Sequence, residues 1–111
     1  MIHICICDDS DAMRDELCGL IQGLCQKHSI AASVSCCSSG EELLFDPDDK
    51  NRTTDIFFLD ILMKKLNGIE TAAKLRAINP TAQIIFLTVS KEHVFEALDV
   101  MPLHYLLKQD M

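Results

Sequence analysis

Four large apolar residues in a row, Ile56 to Leu59 within "DIFFLDILMKKLNGIE", restrict the fold more than any other feature of this chain. A strand with one wet face alternates apolar and polar side chains. A run without alternation is expected where helices cover both faces, as in a parallel sheet. The run ends in a carboxylate, Asp60, after which apolar residues resume. An isolated buried carboxylate is costly, so Asp60 is expected at the mouth of a site.

The remaining segments fit around that strand. "IHICIC" (Ile2 to Cys7) reads as a first strand. Ser10 or Asp11 can cap a helix whose apolar positions Met13, Leu17, Leu20, Ile21 and Leu24 follow a 3.6-residue period. "AASVSCC" is a weaker strand, and Ser38 with Glu41 or Ser39 with Glu42 offers a capping box for a short helix. A polar loop, Asp46 to Thr54, precedes the central strand. Asn67 and Glu70 can start a helix that Asn79-Pro80 ends. Its stripe is untidy: Ile69, Ala72 and Ala73 agree, while Leu75 and Ile78 fall off the face. "QIIFLT" is a fourth strand, Ser90 can cap a helix with Val94, Ala97 and Leu98 inward, and "HYLL" is a fifth strand ending at Lys108.

Strictly alternating strands and helices predict a parallel sheet with right-handed crossovers and helices on both faces. At 111 residues the chain makes one domain, residues 1–111. It stops three residues past Lys108, where such an architecture normally adds one more helix, so a chain truncated before its final helix is expected.

Net charge of −7 and a pI near 4.8 argue against gripping nucleic acid or anionic lipid through general electrostatics. No apolar run approaches the ~18 residues of a membrane span. Asp8, Asp9 and Asp11 stand where a signal peptide would be apolar, so a cytoplasmic location is expected. Six cysteines without a C-x-x-C pair read as small buried hydrophobes in a reducing compartment. The four histidines lack ligand spacing, and no phosphate-cradling or nucleophile-elbow motif occurs.

The strand ends carry the chemistry. Asp8 and Asp9 follow the first strand, Asp60 the third, Thr88 closes the fourth and Lys108 follows the fifth. In an open parallel sheet these carboxyl edges form one rim, where ligands bind. Clustered carboxylates call for a cation, and hard oxygen ligands suit Mg²⁺. A lone lysine opposite them suits a second anion, most naturally a phosphoryl group moving to a carboxylate.

"CDDS", "FLDILMKKLNGIE", "IIFLTVS" and "YLLK", in this order and spacing, resemble the receiver domain of bacterial two-component response regulators. "ALDVMPLHYLLK" further resembles the LytTR-type regulators, whose receivers precede a DNA-binding domain that lies outside this sequence. The resemblance implies a flavodoxin-like five-stranded sheet and a signalling rather than enzymatic role. It makes Asp60 the acceptor of a phosphoryl group from a sensor histidine kinase. Asp9 would bind Mg²⁺ directly, Asp8 mostly through water, with the Leu62 carbonyl as a further ligand. Lys108 would pair with a phosphoryl oxygen. Thr88 would swing its hydroxyl onto the phosphoryl group and Tyr105 would follow inward, shifting the surface of the fourth helix and fifth strand. Three positions depart from the family pattern: Gln109 and Lys64 replace usual prolines, and Val89 replaces a usual Ala or Gly. Gln109 predicts a less firmly held lysine, and Val89 a narrower approach to the site.

Two other readings compete. A phosphatase or phosphotransferase with an aspartyl intermediate wants a second acid/base carboxylate two residues after the nucleophile, where Leu62 stands. A receiver-like interaction module would bind partners without taking phosphate. The apolar stretch Val94 to Leu103 is a candidate homodimer surface.

Overall fold

The computed structural model describes residues 1–110. Five strands, β1 (Ile2–Cys7), β2 (Ala32–Cys37), β3 (Ile56–Leu59), β4 (Gln83–Thr88) and β5 (His104–Leu107), form one parallel sheet in the order β2-β1-β3-β4-β5. Four helices, α1 (Asp11–Lys27), α2 (Gly40–Leu44), α3 (Gly68–Ile78) and α4 (Val94–Leu98), alternate with them. This is the doubly wound flavodoxin-like arrangement expected from the sequence. A 3-10 turn, Lys50–Thr53, interrupts the polar loop before β3, and a second, Lys108–Asp110, follows β5.

The sheet separates two cores. On one face Cys5, Cys7, Phe57, Leu59, Ile84 and Phe86 pack against Leu43 of α2, Ala72 and Leu75 of α3, and Ala97 and Val100 at α4. On the other, Ile4, Ile6 and Leu87 pack against Leu17 and Ile21 of α1. Beside β4 and β5 this second face is only partly covered: Phe58 and Ile85 are half-buried and Leu106 is 44% exposed.

Local signals set the helix starts. Ser10 caps α1, its hydroxyl accepting from Met13 N–H. Ser39 rather than Ser38 caps α2, while Glu42 turns back to the Ser38 N–H and hydroxyl. Asn67 and Glu70 close a reciprocal capping box on α3. Helix α4 begins later than Ser90 allowed, because the Ser90 hydroxyl accepts from Glu92 N–H in the preceding turn.

Three helix faces differ from the sequence expectation. In α1, Leu20 and Leu24 are about half exposed, and Cys18 and Cys25 pack inward with Leu17 and Ile21. In α3, Leu75 is fully buried on the face of Gly68, Thr71 and Ala72, while Ala73 is exposed. In α4, Leu98 is exposed and Val100 takes the inward place. Each segment holds two overlapping stripes with 3.6-residue spacing, and fit against the sheet decides which one faces inward. Of the six cysteines, only Cys5 and Cys7 are buried as expected; Cys18, Cys25 and Cys37 are half-buried and Cys36 is exposed.

Candidate functional site

Register alone brings the rim together. Cys7 pairs with Leu59, Leu59 with Phe86, and Phe86 with Tyr105, so Asp8 and Asp60 lie one step beyond on neighbouring strands. Asp60 N–H donates to the Cys7 carbonyl at 2.9 Å, which fixes that step. Carboxylate oxygens of Asp8, Asp9 and Asp60 lie within 4.8 Å of one another; Asp8 and Asp60 are buried and Asp9 is exposed. The strand-end carboxylate that opened the problem is therefore one of three.

Lys108 reaches back over the edge from the end of β5. Its ammonium lies 2.9 Å from Asp8 Oδ2 and 3.1 Å from Asp60 Oδ2. The Lys108 side chain is 12% exposed, and those of Asp8 and Asp60 4%. Gln109 follows Lys108 through a trans peptide bond, and the ammonium reaches both carboxylates. Burial pushes the Asp60 carboxyl pKa up and the Asp8 charge adds to it, against the opposing pull of Lys108. For Lys108, burial acts downward, but its bonds to Asp8 and Asp60 prevail and raise its pKa. The rim thus holds three carboxylates and one ammonium, an imbalance that one cation relieves. All-oxygen donors of this kind fit Mg²⁺.

The other predicted residues occupy different shells of the same edge. Leu62 donates its backbone N–H to Asp60 Oδ1 at 3.3 Å. Thr88 is fully buried at the end of β4, and its hydroxyl has no hydrogen-bond partner. A buried hydroxyl normally finds one, so Thr88 is an exception at this edge. Tyr105 is half-buried and its hydroxyl donates to the Ser90 carbonyl, pinning the ring against the β4–α4 connection. Its ring sits 6.2 Å from that of Phe86. Val89 and Lys64 are both exposed to solvent.

Two supporting residues escaped the sequence reading. Arg14 Nη1 donates to the Asp8 carbonyl at 2.8 Å, tying the first turn of α1 to the acidic loop. Nothing in its spacing from Asp8 signals that role. At Gly68 an added Cβ would lie 2.1 Å from the Asp60 carbonyl oxygen and 2.8 Å from Ile61 Cα. Only glycine allows α3 to start this close to the β3 end. The signal was present in "LNGIE", a glycine directly after a helix cap.

A profile of the response regulator receiver domain family matches residues 4–110. The chain is 35% identical over 109 residues to the sensory transduction protein LytT of Oceanobacillus iheyensis, an alignment covering 96% of this chain and 42% of that protein. It is 33% identical over 107 residues to the positive alginate biosynthesis regulatory protein of Pseudomonas aeruginosa, covering 96% of this chain and 41% of the relative. Among solved structures it is similar to the response regulator TrrA of Thermotoga maritima, in complex with Mg²⁺–BeF. The TM-score there is 0.80 and the identity 25%, covering 97% of this chain and 87% of that one. The fold and its rim define a signal-receiving module, which is not a classical enzyme. The chain belongs to the response regulator receiver domain family. It spans about two-fifths of the length of the curated relatives it matches.

Proposed function

We propose that this receiver accepts a phosphoryl group on Asp60 from a sensor histidine kinase and uses it to switch a DNA-binding output of the LytTR type. The observation that carries the reading is the convergence of Asp8, Asp9 and Asp60 around one point, with Lys108 bonded to Asp8 and Asp60 together. In the transfer, an Asp60 oxygen attacks phosphorus as the bond to the donor imidazole nitrogen breaks, and an acyl phosphate forms. Asp9, Asp8, Asp60 and the Leu62 carbonyl would hold Mg²⁺, which supplies charge neutralisation for the phosphoryl oxygens. Lys108 remains beside Asp60 and pairs with one of those oxygens. Thr88 turns its unpartnered hydroxyl to another, and Tyr105 follows into the space that Thr88 vacates.

The readout surface in this proposal is α4 with β5. Phe95 is 84% exposed, and Leu98, Met101 and Leu103 are exposed beside it, which supports docking of a partner or a second copy there. We place the protein in the cytoplasm with its kinase; among the described residues no helix is long and apolar enough to cross a membrane. We assign residues 1–111 to the receiver, as a single domain.

Beryllofluoride with Mg²⁺ tests the reading, since the adduct mimics an aspartyl phosphate. Amide resonances at Thr88, Tyr105 and Lys108 are expected to shift in the wild type and stay fixed in Asp60→Asn. A silent wild type, or an equal response in the variant, defeats the proposal. Partner binding that ignores both the variant and Mg²⁺ would favour the phosphate-independent module.

A further inference from the structure

Helix α4 is held very differently at its two ends. At its C-terminal end Arg76, in the last turn of α3, directs its guanidinium at main-chain carbonyls. Nε donates to Val100 at 2.8 Å, Nη2 to Met101 at 2.8 Å, and Nη1 to Ala82 and, at 3.4 Å, to Pro80. No carboxylate shares in these bonds. A planar, always-charged fork can hold four carbonyls from two connections at once, whereas an ammonium cannot. Met101 is left-handed at φ 53°, a conformation unfavourable for a residue with a side chain. It is held from both sides, because its N–H donates to Leu98 and its carbonyl accepts from Arg76. Val100 is buried, and Leu103 N–H donates to the Ile84 carbonyl at 2.7 Å.

The N-terminal end lacks such fixing. His93 occupies the cap position without a side-chain cap bond, and its Nδ1 is buried without a hydrogen-bond partner. The nearest charge to that nitrogen is Glu96, at 3.6 Å. Val94 N–H meets the Lys91 carbonyl only at 3.4 Å. The orphaned Thr88 hydroxyl lies just upstream, and the Tyr105 hydroxyl on Ser90 pins the connection from the side.

We infer that α4 pivots about its C-terminal end, with Arg76 as the positioning residue that confines rearrangement to residues 89–94. This deepens the proposed phosphorylation switch and rests on it for the trigger, but the unequal anchoring belongs to the resting protein. A change at Thr88 and Tyr105 would release the Ser90 end while Val100 and Met101 stay on α3.

Amide hydrogen exchange on the chain, with and without Mg²⁺ and beryllofluoride, tests the inference. In the resting wild type, Val100, Met101 and Leu103 are expected to exchange at least about tenfold more slowly than Val94. Beryllofluoride should alter exchange at residues 89–94 and leave Val100, Met101 and Leu103 unchanged. Arg76→Lys keeps the charge and loses the fork. It should accelerate exchange at 100–103 by about tenfold, the scale of one lost charged hydrogen bond, and let the response spread there. Equal exchange at both ends of the resting wild type overturns the pivot, as does an unchanged pattern in Arg76→Lys. The wild-type comparison decides by itself if the variant fails to fold. Unequal ends without a beryllofluoride response would count against the phosphorylation reading alone. A response spread over both ends of the wild type would count against the pivot alone.

Discussion

Lys108 offsets part of the charge of the rim. Two buried carboxylates share its ammonium, so Lys108→Met would leave both without a compensating charge. Breaking a buried pair from one side costs about 3 kcal/mol. Urea unfolding at neutral pH should show a loss of that order, partly restored by Mg²⁺. Asp60→Asn has the opposite sign. The folded-state pKa of Asp60 is raised, so its ionised form fits the fold less well than water, and its contribution to stability is lost as pH rises through that pKa. The variant should therefore melt above the wild type at pH 7, by the equivalent of about 1 kcal/mol. That advantage should shrink as pH falls toward the unperturbed carboxylate value. A thermal melt series from neutral to acidic pH checks both the sign and the trend. These residues were legible in the sequence because each stands at or just past the end of an apolar run, and parallel register does the rest. Arg14 was not, since its partner is a backbone carbonyl, which no side-chain pattern announces.

The β3–α3 connection shows how an element can constrain a site it does not chemically belong to. Gly68 lets α3 begin against the Asp60 carbonyl. The atoms a new Cβ would meet are backbone, which cannot swing aside. Gly68→Ala should cost about 2–3 kcal/mol and displace Asp60, so weakened beryllofluoride binding should accompany the lower urea midpoint. Unchanged binding at an unchanged midpoint would show that the close approach is dispensable. Capping residues made the helix starts readable: Ser10, Ser39 and Asn67 all serve as caps. Faces were harder. Leu20 and Leu24 kept the helical period yet point to solvent, and Leu75 broke the expected stripe yet is buried. Periodicity defines a stripe only up to rotation, and the sheet chooses the rotation.

Across the molecule, a cation held by the acidic rim of the doubly wound sheet would couple its binding to stability. A ligand held only by the folded state stabilises it by mass action, about 2.7 kcal/mol at a hundredfold excess over Kd. Mg²⁺ should thus raise the melting temperature of the wild type, and less so in Asp9→Asn, while a monovalent salt of equal ionic strength should not. A parallel sheet with helices on both faces followed from strictly alternating segments, whereas the strand order and the half-covered strip beside β4 and β5 are matters of packing that segment order does not report. The most direct test of the phosphoacceptor assignment is intact mass after incubation with Mg²⁺ and a small acyl phosphate. A single adduct of roughly 80 Da, one phosphoryl group, is expected on the wild type and absent from Asp60→Asn. No adduct on the wild type, or the same adduct on the variant, would contradict Asp60 as the acceptor.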